Sequence, residues 1–355
     1  MPIFDQGYQH WSGATSGNAW RWFAIARHGL RVAWQGKALR RVLWFAWMPA
    51  TLLAALLCLW GLLERKSDLI QSFMAQLQMF LGPQIIADPR DYRVDVWRLC
   101  YSYFMGIELM FSMVLILIVG PNLISQDLRY NALPLYLSRP LRRRDYFLGK
   151  LGVIVGLLGM VIVVPPIFAY VLGMLFSLDL TILRDTFGIL LACIGYGLVI
   201  SVSAGMLVLA LSSLSRNSRY IALFWLGIWI VSSAVSGVLQ GVQAQQQFRR
   251  EAQARERFDI AYDAEAERRA ASQRDWRPLV SYTANLSRIG QHLLDTDATW
   301  ERLSRIEVAG NSPGSLEQFK GPQYPWYWSA GVLSALFVIS LCILNLSIKS
   351  LDRLK

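Results

Sequence analysis

The sequence predicts an all-α polytopic membrane protein with six transmembrane helices, and two observations carry this prediction. Hydrophobic residues make up 54% of the 355 residues and charged residues only 17%, whereas soluble chains carry about a quarter charged residues. Five charge-free stretches also exceed the roughly 20 residues that a helix needs to cross a hydrocarbon core. A soluble globule is thereby excluded. The five stretches are 42–63, 151–178, 186–215, 220–248 and 321–348.

The segments between the spans differ in charge from one side of the membrane to the other. The segments alternate along the chain between the two sides. Those on one side together carry seventeen basic and four acidic residues, and those on the other side carry eighteen basic and nineteen acidic residues. Because an excess of Lys and Arg in short loops marks the cytoplasmic side, both termini are expected in the cytoplasm. The expected spans are 42–63, 99–123, 147–177, 186–212, 219–241 and 326–347.

The location that follows is the cell membrane, either an inner or a plasma membrane. The N-terminus shows no cleavable signal peptide, so the first span is expected to target the chain. The basic charge serves topology and attraction to anionic membrane lipid, and no nucleic-acid partner is expected.

The topology predicts four parts in the chain. In the first part, residues 20–35 have helical periodicity with a basic face and an aromatic face, which predicts an interfacial helix on the inner leaflet. The parts are a cytoplasmic N-terminus at 1–41, transmembrane helices one to five at 42–241 with a cytoplasmic loop at 124–146, an extracytoplasmic helical insert at 242–325, and the sixth helix with a cytoplasmic tail at 326–355.

The insert at 242–325 is expected to be largely helical. Residues 243–274 carry opposite charges at spacings of four and predict a helix that continues the fifth span. Residues 279–294 predict a second, amphipathic helix, and 310–325 predict an irregular return. Two interpretations stay open, a solvated helical pair and a contact surface for an extracytoplasmic partner.

Motifs for catalysis, cofactors and metals are missing from the sequence. No phosphate-binding G-x-x-x-x-G-K-[ST] motif occurs, no span contains His or Asp, and the four cysteines lack metal-site spacing. We therefore expect no enzyme, no cofactor and no metal site.

Glu108 and two prolines are the unusual residues inside the spans. Glu108 lies ten residues past Arg98, about 15 Å deep, where a charge costs at least about 2.5–3.5 kcal/mol. It is either a hydrogen-bonded interhelical residue or part of a substrate path or gate. Pro165 and Pro166 predict a kink in the third span, which serves either as a gate or as a packing accommodation.

The most informative segment is 124–150, between the second and third spans. Asp127–Tyr136 is expected to form a short helix with polar and aromatic faces, and Pro140 to end it. The basic cluster Arg142–Arg144 follows, and it fits contact with lipid as well as a functional role.

At this segment the sequence resembles the permeases of type-2 ABC exporters, the ABC-2 family. That family has six spans, an interfacial N-terminal helix and a short cytoplasmic coupling helix between spans two and three. The match covers the layout of all six spans, whereas 242–275 is longer than the outer helical hairpin usual in the family, and Asn131 stands where glycine is usual. The matching positions are Asp127, Leu133, Leu137, Ser138-Arg139-Pro140, Arg144 and Gly149-Lys150.

The resemblance implies a partner. Such a chain is half of the membrane part of a transporter, paired as a homodimer or pseudo-dimer and driven by two copies of a separate ABC ATPase subunit. ATP binding closes the ATPases, and the coupling helix passes that motion to the spans. The residues that the resemblance implies at the ATPase-coupling interface are Asp127, Arg129, Tyr130, Asn131, Leu133, Tyr136 and Arg139.

The function expected from these observations is ATP-driven export across the cell membrane. A non-transporting membrane scaffold or signalling subunit, driven by an ATPase and acting through the insert, is an alternative. A stand-alone secondary transporter is another. No feature of the sequence identifies the substrate.

Overall fold

The computed structural model describes residues 20–71, 83–132, 143–177, 179, 181–256, 275–303 and 324–352, and within these ranges it contains helices and no strand. Six helices are long and apolar enough to cross a membrane, which confirms the predicted fold class and makes the chain a multi-pass membrane protein. The six apolar spans are Lys37–Glu64 (TM1), Arg93–Arg129 (TM2), Arg144–Ser177 (TM3), Thr181–Leu214 (TM4), Ser218–Gln246 (TM5) and Trp326–Ser347 (TM6).

Several shorter helices connect or flank the spans. The last part of TM2 is a separate helix that follows a turn at Gly120 and Pro121, and TM5 continues as a helix to Glu256. The remaining elements are the N-terminal helix Arg21–Trp34, the connecting helix Asn122–Arg129, the first insert helix Tyr282–Leu293, the second insert helix Thr296–Leu303, and the short pieces Asp68–Gln71, Pro83–Ala87 and Arg277–Val280.

The two ends of the bundle differ in what they hold. One end, here called the basic end, carries the N-terminal helix, the connecting helix and the turn between TM4 and TM5. The opposite end carries Glu64, Arg93 and the second insert helix.

TM4 forms the centre of the bundle and TM5 lies at its edge. About 61% of the apolar 18-residue stretch of TM4 is buried inside the chain, whereas the corresponding shares are 17% for TM5 and 22% for TM6. Large apolar side chains of TM5 are therefore left without a protein partner among the described residues. They include Leu223, Phe224, Ile230, Val231 and Val238.

TM3 and TM5 each contain one π-helical turn, at Gly159–Val163 and Gly227–Val231. In TM3, Pro165 lies two residues past the end of the wide turn, and this turn leaves room for a ring that would otherwise meet the carbonyl one turn back. In TM5, Ser233 donates its hydroxyl hydrogen to the carbonyl of Trp229 at 2.7 Å. The irregular turn is thus stabilised by a side chain, as an interrupted membrane helix requires.

The first insert helix reaches into the bundle. The Tyr282 hydroxyl lies 3.0 Å from the Ser203 hydroxyl of TM4, and the Ser281 hydroxyl lies 3.1 Å from that of Ser233 in TM5. Ser203 is eleven residues from the basic end of TM4, a distance of about 16 Å along the helix. The start of this helix therefore lies well inside the bundle, although its sequence is part of the segment predicted to form an extracytoplasmic insert.

The N-terminal helix packs closely on TM3 along a stripe of glycines. A Cβ atom added to Gly149 would lie 2.6 Å from Ile25, one on Gly152 would lie 2.9 Å from Ala26 Cβ, and one on Gly156 would lie 3.0 Å from Leu30. The contact positions advance together along both helices, which therefore run in the same direction. The missing side chains let the two backbones approach.

Substituting Gly152 with alanine is expected to destabilise the protein by about 1–3 kcal/mol, because the new methyl group overpacks the contact with Ala26. The matched control is Gly195→Ala in TM4, where an added Cβ meets nothing within 4 Å. There the same change is expected to be neutral or slightly stabilising. Thermal unfolding of both purified variants compares them, and equal stability would contradict a close contact between the helices.

Candidate functional site

The connecting helix leaves TM2 at an angle fixed by a close contact with TM4. A Cβ atom on Gly120 would lie 2.5 Å from Val208 Cγ2, so only glycine fits this approach without a shift of the neighbour. The carbonyl of Pro121, in the same turn, accepts hydrogen bonds from the hydroxyls of Ser125 and Ser212.

Ser212 of TM4 caps the start of the connecting helix. Its hydroxyl oxygen accepts hydrogen bonds from the backbone N–H groups of Ile124 and Ser125, both at 3.1 Å, and donates to the Pro121 carbonyl at 3.1 Å. The first N–H groups of a helix have no partner within the helix. A side chain from TM4 satisfies two of them here, and it thereby attaches the connecting helix to the centre of the bundle.

Asp127 attaches the connecting helix to TM3. Its Oδ2 atom accepts a hydrogen bond from the Tyr146 hydroxyl at 2.7 Å and lies 2.7 Å from Nζ of Lys150. The Lys150 ammonium also lies over the Tyr146 ring, 5.5 Å from its centroid. The side chains of Asp127 and Lys150 are only 15% and 14% exposed, so this pair is better shielded from water than a surface ion pair.

The connecting helix ends earlier than the sequence predicts. We expected a helix over Asp127–Tyr136, but the observed helix covers Asn122–Arg129 and the chain turns at Tyr130–Ala132. Asn131 adopts φ 51°, the Ala132 N–H donates to the Asp127 carbonyl at 2.8 Å, and the Asn131 N–H donates to the Leu128 carbonyl at 3.4 Å. This is a Schellman end, in which asparagine takes the left-handed position usually held by glycine.

The predicted interface residues divide into two groups. Asp127 faces the bundle, whereas Arg129, Tyr130 and Asn131 are exposed at the end of the connecting helix. Tyr130 is 73% exposed, and the Arg129 guanidinium lies 5.8 Å from the centroid of its ring. The other predicted residues lie outside the described residues; they are Leu133, Tyr136 and Arg139.

The sequence that forms these six spans and the short, firmly attached helix between TM2 and TM3 matches a known family. The family model described as "ABC-2 family transporter protein" matches residues 33–345, which include the first five spans, the connecting helix and all but the last two residues of TM6. The chain belongs to the ABC-2 transporter family. No curated protein matches it by sequence. As a family member it is a permease component of an ABC transporter, a membrane transport component.

A groove of about 390 Å³ lies beside the connecting helix of the permease. It is bounded by Leu128, by Ser213 and Arg216 at the TM4–TM5 turn, and by Leu346 near the end of TM6. Three separate parts of the chain thus meet at the basic end. Sequence reasoning missed both this groove and Ser212, because a serine in an apolar span gives no signal of which distant backbone it caps.

Glu108 lies in the interior of the permease. It is 0% exposed, and neither of its carboxylate oxygens has a hydrogen-bond partner among the described residues. The prolines are buried as well, and the Pro166 carbonyl accepts a hydrogen bond from the Tyr101 hydroxyl of TM2 at 3.0 Å. TM2 therefore packs against TM3 near Pro165 and Pro166, and neither proline lies at the connecting helix.

A buried ion pair joins TM1 to TM2 at the opposite end of the permease. Arg93 Nε donates to Glu64 Oε1 at 2.7 Å, and its Nη2 donates to Oε2 at 2.6 Å. Arg93 also contacts TM4, donating to Thr181 at 3.1 Å and to Asp185 at 3.2 Å, and it lies 3.3 Å from Asp179. One guanidinium therefore holds three spans together, with bidentate geometry to Glu64.

The remaining lone pairs of Glu64 are also used. Trp60 Nε1 donates to Oε1 at 2.7 Å, and the Ser177 hydroxyl donates to Oε2 at 3.3 Å. The Thr181 backbone N–H donates to Asp179 at 3.1 Å, and this bond, together with the Thr181 hydroxyl and the Arg93 guanidinium, holds the pKa of Asp179 below its ordinary value. Asp179 therefore keeps its negative charge near neutral pH.

Proposed function

We propose that the permease is the membrane-spanning subunit of an exporter driven by ATP hydrolysis in a separate ABC ATPase. The observation that carries the proposal is the double attachment of the connecting helix, through Ser212 to TM4 and through Asp127 to TM3. A short helix held on two sides transmits a push without bending, which is what a coupling element requires.

The exposed end of the connecting helix is the proposed ATPase contact. Arg129, Tyr130 and Asn131 face outward, and aromatic and Arg residues are favoured among interface anchors. We extend the contact to Leu133, Tyr136 and Arg139, which follow directly in the chain. Asp127 is proposed to position this helix, because its carboxylate is already bonded inside the chain.

We propose that motion of the connecting helix is transmitted to the spans through its hydrogen bonds and its ion pair. A push on the connecting helix reaches TM4 through Ser212 and TM3 through Lys150, and the glycine stripe extends the moving unit to the N-terminal helix. The buried Arg93 network joins TM1, TM2 and TM4 at the other end. The basic end then moves while the opposite end is held.

A groove between TM2 and TM5 is the proposed place for substrate or for the second permease copy. It measures about 670 Å³, and its lining includes Tyr103, Gly106 and Met110 of TM2, Trp229 of TM5 and Gln291 of the first insert helix. Glu108 lies on the buried face of TM2, while Ile107 and Met110 beside it are exposed. Glu108, Pro165 and Pro166 are therefore proposed to act on the gate through packing, without direct contact with substrate.

The assembly proposed is two permease copies, as a homodimer or pseudo-dimer, with two ATPase copies. The apolar face of TM5 that the chain leaves uncovered supports the pairing of permeases. The excess of basic residues supports a cytoplasmic basic end in the cell membrane. The insert would then face outward, where an extracytoplasmic partner has access to it.

The test is ATP hydrolysis by the purified permease alone and together with the ATPase that copurifies with it. The permease alone is expected to hydrolyse no ATP, and the complex in liposomes is expected to hydrolyse ATP. Hydrolysis by the permease alone would overturn the proposal, as would the absence of any associated ATPase.

A further inference from the structure

We propose that the N-terminal helix and the start of TM1 form a binding surface for anionic phospholipid headgroups. The surface is the set of exposed cations on either side of the break at Gly36, and it is called here the cationic surface. Its members are Arg27, Arg31, Lys37, Arg40 and Arg41. This proposal concerns a ligand of the membrane itself and does not depend on an ATPase partner.

Within the part of the chain that the structure describes, the cationic surface has no counter-charge from the protein. Residues 20–63 contain six Lys or Arg residues and no Asp or Glu. Within the described part of the chain, no ion pair or hydrogen bond joins the five side chains to another residue. Five exposed cations within residues 27–41 repel one another, so the surface favours anions from outside the chain.

The opposite end of the bundle shows that unpaired cations are not general in this protein. There Arg98 pairs with Asp295 at 3.1 Å, and Arg302 pairs with Asp95 at 2.9 Å. Arg93 lies in the buried network described above. These three arginines meet carboxylates of the same chain, whereas within the described residues the members of the cationic surface do not.

The exposed side of TM1 changes along its length in the order that a membrane leaflet requires. Lys37, Arg40 and Arg41 come first, then Trp44 at 81% and Phe45 at 60% exposure. Trp44 is seven residues past Lys37, about 10 Å further along the helix. Cations, aromatic rings and then aliphatic side chains match headgroups, interface and hydrocarbon in turn. The cations therefore lie at the level of lipid phosphates.

The N-terminal helix supplies the second half of the surface at a fixed position. Arg27 and Arg31 are four residues apart and share an exposed face. Nearby Phe23 and Trp34, each 48% exposed, provide apolar contact at the same helix. The glycine stripe of TM3 contacts the opposite face of the N-terminal helix. The helix that carries Arg27 and Arg31 is therefore held in place before lipid binds. A preformed set of guanidinium groups suits the bidentate recognition of phosphate oxygens.

The experiment measures lipid binding to the full-length chain in detergent by native mass spectrometry. Phosphatidylglycerol and phosphatidylcholine of equal chain length are titrated separately. Wild type is expected to bind phosphatidylglycerol at least about fivefold more tightly, the factor that one basic residue near an anionic leaflet provides. Equal affinity for the two lipids would overturn the proposal.

The variant R40Q/R41Q tests the position of the site. It is expected to lose about fivefold or more in affinity for phosphatidylglycerol and to keep its affinity for phosphatidylcholine. The matched control is R216Q/R219Q, which removes two exposed cations from the TM4–TM5 turn at the same end of the bundle. An equal loss in both variants would show diffuse attraction and would overturn the assigned surface. Unchanged binding of phosphatidylcholine and an unchanged elution volume establish that each variant is folded.

A competition with inorganic phosphate distinguishes a lipid site from a site for free anions. Phosphatidylglycerol binding is expected to persist in inorganic phosphate at a concentration that matches the lipid, because the aromatic residues also contact the lipid. Complete displacement at equal concentration would overturn the assignment to lipid.

Discussion

Replacing Arg93 with methionine is expected to destabilise the permease by about 3–5 kcal/mol. The side chains of Arg93 and Glu64 are only 3% and 2% exposed, and removing one partner of such a pair leaves the other buried without a counter-charge. The substitution also removes the contacts of TM2 with Thr181 and Asp185 of TM4. Thermal unfolding of the purified variant in detergent, together with its yield from membranes, measures the loss.

The matched control is Arg90→Met. Arg90 lies three residues away, pairs with Asp179 at 3.9 Å, and its side chain is 69% exposed. An exposed pair of this kind contributes about 0–1 kcal/mol. The double variant E64L/R93M removes both buried charges and is expected to recover part of the stability, because no charge is left unpaired. If Arg93→Met unfolds at the same temperature as Arg90→Met, the network does not hold the spans together.

Truncating the exposed end of the connecting helix is expected to give the largest loss of function. The double variant R129A/Y130A should weaken binding of the ATPase by about thirtyfold, since anchors at an interface typically cost about 2 kcal/mol or more. Membrane insertion should stay normal, because both side chains are exposed. A pull-down of the ATPase and a transport assay, each normalised to the permease content of the membrane, measure the effect.

The control for this variant is Tyr327→Ala at the opposite end of the bundle, where the ring is 60% exposed. It should bind the ATPase like wild type. Asp127→Asn differs from both, because it leaves Lys150 without its carboxylate and should therefore lower stability as well as coupling. Wild-type binding and transport in R129A/Y130A would remove the coupling assignment and favour a scaffold function.

Much of the fold could be predicted because it depends on local pattern. Five of the six spans follow from charge-free length, the second follows from an apolar run interrupted only by Glu108, and the N-terminal helix follows from periodicity over 20–35. The second amphipathic piece of the insert was predicted with nearly correct bounds, and Leu286 and Ile289 on its apolar face are buried. Leu293, at the end of the helix, is 40% exposed, whereas the next residue, Leu294, is buried.

The features that escaped prediction depend on distant contacts or on a single backbone angle. Arg93 lies 29 positions from Glu64 and 92 positions from Asp185 in the sequence. The sequence pattern therefore presents all three residues only as charges between the spans. The end of the connecting helix depends on Asn131 taking a left-handed angle, which sequence pattern alone does not require. For the same reason the proposed interface residues could be named from the sequence, but the inward direction of Asp127 could not.

The position of the first insert helix has a consequence for how the permease is made. Its start is bonded to TM4 through Tyr282 and to TM5 through Ser281, and further along Arg288 donates to the Tyr324 carbonyl just before TM6, at 2.7 Å. A chain emerges from the ribosome N-terminus first, so TM4 and TM5 enter the membrane before this helix exists. Ser203 and Ser233 therefore gain these hydrogen-bond partners only after the first insert helix has been made and has packed against TM4 and TM5. Closing the centre of the bundle is therefore expected to be a late event in biogenesis, after synthesis of the segment between TM5 and TM6.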